Sequence, residues 1–323
     1  MLQLMLHAHP AIAIPPESRF LLEAYDQRDQ FGDLRERDNR RRLARFITRR
    51  GSKLRDLGLD PAAVRRRIVR GRPTVGDAAR AVYQGYSERF GKRRWGDKRP
   101  AYIQRIDALL RMFPDAQIIH IIRDGRDCVS SLKRMPWWQG GSIAAIWTWR
   151  NAIIRGRRSR ARLPADAYIE VRYEDLITAP ERELRRLCRF LGEEFSDRML
   201  EPRRVADVAV PSRKVWHTRT RAAVDDSALH RWRTDLEPWE RDLFHLVAGR
   251  QLRALGYPHT RPERLPPIRT VARYGRYHLY REAYERYRRG RDTVRQWRYG
   301  LPVAAISSSG ADATPARRGG GRR

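Results

Sequence analysis

At 323 residues and 41% hydrophobic content, the chain can bury one sizeable α/β core with a small satellite or tail. Its 69 Lys and Arg against 38 Asp and Glu leave a net charge of +31, which bears on polyanionic partners and solubility rather than on fold, and much of that excess is Arg spread over the whole length. Two cysteines without metal-ligand spacing, Cys128 and Cys188, exclude a disulfide framework and a zinc site, and no apolar run approaches the ~20 residues of a membrane span.

Residues 1–8 read as a helix already under way, with Leu2, Met5 and Leu6 on one face and no capping residue before them. The opening Met1 to Ile14 is apolar but has no basic start and carries His7, His9 and Pro10, so a signal peptide is not expected. The expectation is a cytoplasmic protein without a transmembrane segment. Ala11 to Ile14 is a short candidate strand, and a helix follows from Ser18 to about Gln27. The stretch from Asp29 to about Gly71 is highly charged and poorly periodic, and residues 29–94 are expected to form a helical insertion or lid.

From Trp95 onward strands and helices alternate, which predicts a mostly parallel sheet flanked by helices. Ile103, Ile106, Leu110 and Phe113 mark a helix. Ile118 to Ile122 is apolar enough for a strand buried on both faces, and a helix opens at Gly125. A long helix spans about 142–160, and Ala167 to Val171 is a further strand. Thr178-Ala179-Pro180-Glu181 predicts a capping box for a helix over Pro180 to Leu191, closed by Gly192, in which Cys188 packs with Leu184, Leu187 and Leu191. Pro238 to Leu255 is a helix of the same kind, with Trp239, Leu243, Leu246 and Val247 on one face. Residues 258–267 form a Pro-rich linker, 268–300 a basic helix, and 301–323 a low-complexity tail expected to be disordered.

The segment IIHIIRDGRDCVSSLKR, residues 118–134, carries the strongest chemical signal. A buried strand there runs into a helix N-terminus rich in Arg and Ser, where backbone N–H groups, the helix dipole and a guanidinium would all meet an anion. Arg123 ends the strand, and Ser131 lies about two helical turns on, so both can face one crevice. By pattern alone, Arg123, Asp124, Arg126 and Asp127 suit a surface ion-pair cluster equally well.

These residues resemble the sulfotransferases that use 3′-phosphoadenosine-5′-phosphosulfate (PAPS). RDGRDCVSS is similar to that family's 3′-phosphate element, which assigns Arg123 and Ser131 to the 3′-phosphate of PAPS, with Arg134 near enough to assist. VRYEDL at 171–176 matches the next landmark, and the resemblance places Tyr173 against the nucleotide. RWRTDL at 231–236 and the LGY ending at Tyr257 match the C-terminal pattern, so that 1–257 would be one sulfotransferase domain with a P-loop-like fold. WGDKRP at 95–100 resembles a Gly-acid-Lys element, whose Lys, here Lys98, approaches the bridging oxygen between phosphate and sulfate. HPAIAIPPESRF at 9–20 resembles a segment of the protein-tyrosine branch, which assigns Glu17 as the general base and Arg19 as a substrate contact. Without the resemblance, Lys98 would read as a solvated lysine and Glu17 as a complement to a helix dipole.

The family places a Pro-Arg/Lys-Ser-Gly-Thr-Thr loop, which cradles the 5′-phosphosulfate, directly before the helix that this chain enters at Met1. No such loop occurs in the sequence, and the strand preceding it is also missing. The expectation is therefore an N-terminally truncated form, with a misplaced start or a real loss, that binds PAPS poorly and has impaired activity. The resemblance implies PAPS as co-substrate, no metal, and a hydroxyl acceptor on a carbohydrate, lipid or small metabolite. A second reading is an inactive member of the fold that binds polyanions or nucleic acid. Its feature is the basic C-terminal helix, where Tyr277, Tyr280, Tyr284 and Tyr287 lie among arginines and could meet an anionic surface. A P-loop kinase is excluded because no G-x-x-x-x-G-K-S/T is present.

Overall fold

The alternation of strands and helices is realised with parallel pairing. The computed structural model describes residues 1–205, 229–259 and 265–299; the tail at 301–323 and the centre of the Pro-rich linker lie outside them. Strand β1 (Ile12–Ala13) pairs with β2 (Arg94–Trp95), and β3 (Ile118–Ile122) pairs with β4 (Tyr168–Arg172), both in parallel. Among the described residues these are two separate two-stranded ladders, where the sequence predicts one mostly parallel sheet. Pro15 and Pro16 lie one residue beyond β1, after Ile14, and have no N–H to offer, which limits how far that ladder can extend. β3 is not buried on both faces: Ile122 is 2% exposed but Ile121 is 41% exposed. The apolar cover over Ile119 stops short of Ile121.

Helix α1 (Leu2–Ala8) precedes β1, and α2 (Phe20–Asp26), α3 (Arg37–Ile47), α4 (Pro61–Arg70) and α5 (Val75–Glu88) lie between β1 and β2. Residues 29–94 thus become helical, and their apolar side chains share one core with their neighbours: Leu43, Ile47, Leu57, Ile68 and Val82 pack with Phe20 of α2 and with Met112 of α6 (Ile106–Met112). The capping residues that organise this segment are short-range. Asp60 accepts N–H bonds from Ala62 and Ala63 at the start of α4, and Thr74 accepts one from Asp77 at the start of α5.

α7 (Gly125–Lys133) and α8 (Gly141–Arg160) follow β3, and α9 (Tyr173–Thr178) and α10 (Pro180–Leu191) follow β4. α10 has the predicted bounds and ends at Gly192, whose φ of +69° is the left-handed conformation glycine favours. The predicted capping box does not form. Ala179 occupies the N-cap, and Thr178 Oγ1 instead donates to the Glu174 carbonyl at 3.0 Å, because α9 runs right up to it.

The C-terminal third contains α11 (Trp232–Asp235), α12 (Pro238–Ala254) and α13 (Ile268–Tyr299). A capping box appears on α12, where the Glu240 carboxylate accepts the Glu237 N–H at 2.8 Å. The buried stripe of α12 runs through Leu243, Phe244, Ala248 and Leu252, while Leu246, predicted to share it, is exposed. These residues join Ile122, Val129, Ile146 and Trp147 in a second core, against which Tyr274 of α13 packs. A third core binds α1 and β1 to β4 and α10 through Met5, Ile12, Val171, Leu187 and Cys188. Among the described residues, no helix is long and apolar enough to cross a membrane.

Candidate functional site

Four of the sequence-predicted residues follow the carboxyl ends of the four strands: Glu17 after β1, Lys98 after β2, Arg123 after β3 and Tyr173 after β4. In open α/β folds this is the end at which ligands bind, because helices begin there and point their N-termini outward.

At the β3–α7 junction the Arg123 guanidinium lies over the Tyr173 ring, 4.9 Å from its centroid, and 3.9 Å from Asp127. Trp149 Nε1 donates to the Arg123 carbonyl at 3.0 Å and fixes the end of the strand. The N-terminus of α7 is not the bare anion cradle that the sequence suggests. Asp124 caps the Arg126 N–H at 2.9 Å, and the Asp124 N–H is itself taken by Glu174 at 2.8 Å. Asp124 and Arg126 form an ion pair at 2.6 Å with Arg126 stacked 3.8 Å from the Trp232 ring centroid. The expected cluster of charges is therefore present, but it is buried instead of at the surface. Such a pair positions the turn, and losing either partner would strand a buried charge. Asp127, also buried, accepts the N–H groups of His230 and Trp232 at 2.9 and 3.0 Å, which offset its charge beside Arg123.

Three separate landmarks meet at this junction. Glu174 of VRYEDL also accepts the hydroxyl of Tyr257, at 2.8 Å, and Arg172 lies over the Tyr257 ring at 4.6 Å. Burial and the Glu174 charge raise the Tyr257 phenol far above its ordinary value, so it stays a donor. RWRTDL supplies Trp232 and Asp235. Ser131 is half-buried on α7, one turn beyond Asp127 and on the same face. Arg134 is held by Asp235 at the far end of α7, where Ser130 also donates to Asp235. These bonds lower the Asp235 carboxyl, Ser130 contributing most.

At the other ladder, Glu17 lies 3.5 Å from Lys98 Nζ and 3.9 Å from Arg99 Nε. Arg99 also reaches the Arg19 carbonyl, and the exposed Arg19 occupies the N-cap position of α2. Beneath them is a network that the sequence reading missed. Asp97 accepts hydroxyl donors from Tyr83 at 2.6 Å, from Tyr102, and from Ser18 at 3.4 Å, and it takes the Lys98 N–H at 2.9 Å. Burial raises the Asp97 carboxyl above its ordinary value despite these bonds. The network anchors the residues next to Glu17 and Lys98. Its only sequence signal is the acidic residue of the Gly-acid-Lys element, because the two tyrosines are distant or lack a pattern. The Met1 amino group is lowered to about 6, by burial first and by Lys98 second. Among the described residues, no group of three or more His, Cys, Asp or Glu could hold a metal ion.

This architecture matches that of sulfotransferase domains. The sulfotransferase domain of the Synechococcus PCC 7002 olefin synthase superposes with a TM-score of 0.56 at 22% identity, over 80% of this chain and 90% of that one. The sulfotransferase domain from the curacin biosynthetic pathway gives 0.51 at 18% identity, over 80% and 93%. The profile of the Sulfotransferase family matches residues 1–197, and the chain belongs to that family. Among curated relatives, the omega-hydroxy-beta-dihydromenaquinone-9 sulfotransferase of Mycobacterium tuberculosis is 32% identical over 107 residues, covering 29% of this chain and 28% of that protein. Protein-tyrosine sulfotransferase 1 of Danio rerio is 29% identical over 178 residues, covering 51% of this chain and 49% of that protein. The chain thus spans less than half the length of either relative.

Proposed function

We propose that this protein transfers a sulfuryl group from PAPS to a hydroxyl acceptor, using a glutamate base. The observation that carries this reading is the meeting of Glu17 and Lys98, far apart in sequence, at 3.5 Å beyond the carboxyl ends of paired parallel strands. PAPS, when bound, supplies the sulfuryl group and a good leaving group. Glu17 takes the proton of the acceptor hydroxyl, and Lys98 holds a fixed positive charge where negative charge develops on departure. Arg19, exposed beside them, contacts the acceptor.

Arg123 and Ser131 hold the 3′-phosphate, and Tyr173, already stacked on Arg123, contacts the nucleotide. Arg134, engaged by Asp235, adds positive potential along α7. The residues present suit such a group through side chains on the flank of α7, since protein carboxylates already take the Asp124 and Arg126 N–H groups at its start. The 5′ side of the nucleotide is assigned no residue. The two curated relatives are named for a hydroxylated menaquinone and for protein tyrosine, so a hydroxyl acceptor is common to both. A carbohydrate, lipid or small metabolite is favoured here over protein tyrosine.

Calorimetry with 3′,5′-bisphosphoadenosine and with 5′-AMP tests this assignment. The bisphosphate is expected to bind more tightly. Arg123→Ala is expected to weaken it by about tenfold to a hundredfold, as loss of a charge-assisted bond to phosphate does, and to leave 5′-AMP unchanged. Equal affinity for the two nucleotides would overturn the assignment.

A further inference from the structure

Helix α13 departs from the usual polarity of a surface helix. Its acidic side chains turn toward the protein: Glu285 is buried and pairs with Arg155 at 3.5 Å and Arg288 at 2.6 Å, while Asp292 lies 3.5 Å from Arg28 and 3.9 Å from Arg105. Tyr274 and Tyr277 pack on the second core, but most of its other large apolar side chains turn away. Ile268, Leu279, Tyr280, Tyr287, Val294 and Trp297 are between 57% and 85% exposed. At about 100° per residue, these six fall within one arc of about 120°. The exposed Arg269, Arg276 and Arg286 fall in the same arc, and none of the carboxylates of α13 does.

We infer that this outer face is a docking surface for an anionic lipid bilayer. Each kind of side chain on it has a place in such an interface. Ile, Leu and Val enter the acyl boundary, Tyr and Trp sit at headgroup level, and Arg meets lipid phosphates. The face is about 45 Å long, which suits an extended surface. Nucleic acid would satisfy the arginines and stack on the rings, but it offers nothing to Ile268, Leu279 and Val294, which have no flat face to stack. Beside the arc, a groove of about 350 Å³ between α8 and α13 sets Arg273 and Arg276 above an apolar floor of Ile143 and Ala144. That combination fits a phosphate headgroup with the start of its chain. The acidic residues bind α13 to the body and leave the outer face uniformly basic.

This surface does not depend on the sulfuryl-transfer reading. Co-sedimentation of the full chain with vesicles tests it, comparing phosphatidylcholine alone with an equal mixture of phosphatidylcholine and phosphatidylglycerol. Binding is expected to the mixture, and to be lowered about tenfold or more by Arg276→Glu with Arg286→Glu, and also by Leu279→Ser with Trp297→Ser. All four residues are exposed, so unchanged thermal melting of both double variants is expected and checks the fold. Absence of binding to the mixed vesicles overturns the inference. So does binding that the arginine pair abolishes, the Leu279 and Trp297 pair leaves intact, and an oligonucleotide competes away, because that pattern belongs to a charge-only polyanion surface.

Discussion

Glu17 stands between two cations, 3.5 Å from Lys98 and 3.9 Å from Arg99, and this defines what each residue contributes. A general base acts on the acceptor and leaves nucleotide affinity alone. Glu17→Gln is therefore expected to lower transfer by about 10²–10⁴-fold with bisphosphoadenosine affinity unchanged, measured by single-turnover transfer beside calorimetry. A parallel loss of affinity would instead make Glu17 a structural partner of Lys98. Asp97, one residue before Lys98, acts through position. Its carboxyl is raised by burial, so the folded state holds its proton more tightly than the unfolded chain. The stability of the neutral form is present at low pH and lost as pH rises through the folded-state value. Asp97→Asn, fixed as neutral, is expected to gain on the wild type in urea unfolding as pH rises from about 4 to about 8. A constant difference over that range would show that Asp97 does not titrate in it.

At the scale of elements, the β3–α7 turn is held by packing as much as by charge. A Cβ at Gly125 would overlap Phe244 and Trp149, both in the second core. Gly125→Ala should cost about 3 kcal/mol or more through overpacking, read as a lowered melting temperature, whereas a shift near zero would mean that the turn can relax. Tyr257 ties α12 to this turn through Glu174. Tyr257→Phe leaves Glu174 with one donor fewer and is expected to cost about 1–3 kcal/mol by denaturant unfolding. Both changes lie away from Glu17 and Lys98, so they separate the nucleotide end of the site from the acceptor end.

For the whole molecule, acid sensitivity follows from two buried histidines. Burial lowers His7 and His120 each to about 4, with Lys92 adding to the effect at His7. The unfolded chain takes up these protons near pH 6.5, and the folded protein only near 4. Stability is therefore full above about 6.5 and lost as pH falls toward 4, by roughly 2 kcal/mol per histidine after allowance for solvent screening. His120→Gln should flatten the fall in the urea midpoint between about pH 6.5 and about pH 4.5. An unchanged slope would assign the acid sensitivity to other groups.

The sequence by itself did not determine the short helices α9 and α11, but it did determine the strands β3 and β4, the helices α7, α8, α10 and α12, and the bounds of α10. These are short-range patterns of apolar spacing, glycine stops and strand-to-helix turns, carried by residues close together in the chain. It read residues 29–94 only as a helical insertion, without its individual helices, because arginines mask the spacing of Leu43, Ile47, Val64 and Ile68, which becomes visible only once their common core is assembled. Tertiary structure alone decided that Glu174 takes the Asp124 N–H at the start of α7, that Tyr83 and Tyr102 converge on Asp97, and that Glu17 meets Lys98. It also decided which face of α13 is outward, since inward pairing of Glu285 with Arg155 and of Asp292 with Arg28 turns the side of Leu279, Tyr287 and Trp297 to solvent. The reason is the same throughout: hydrogen bonds and ion pairs between distant residues form only after packing has fixed the backbone, and no local pattern encodes their partners.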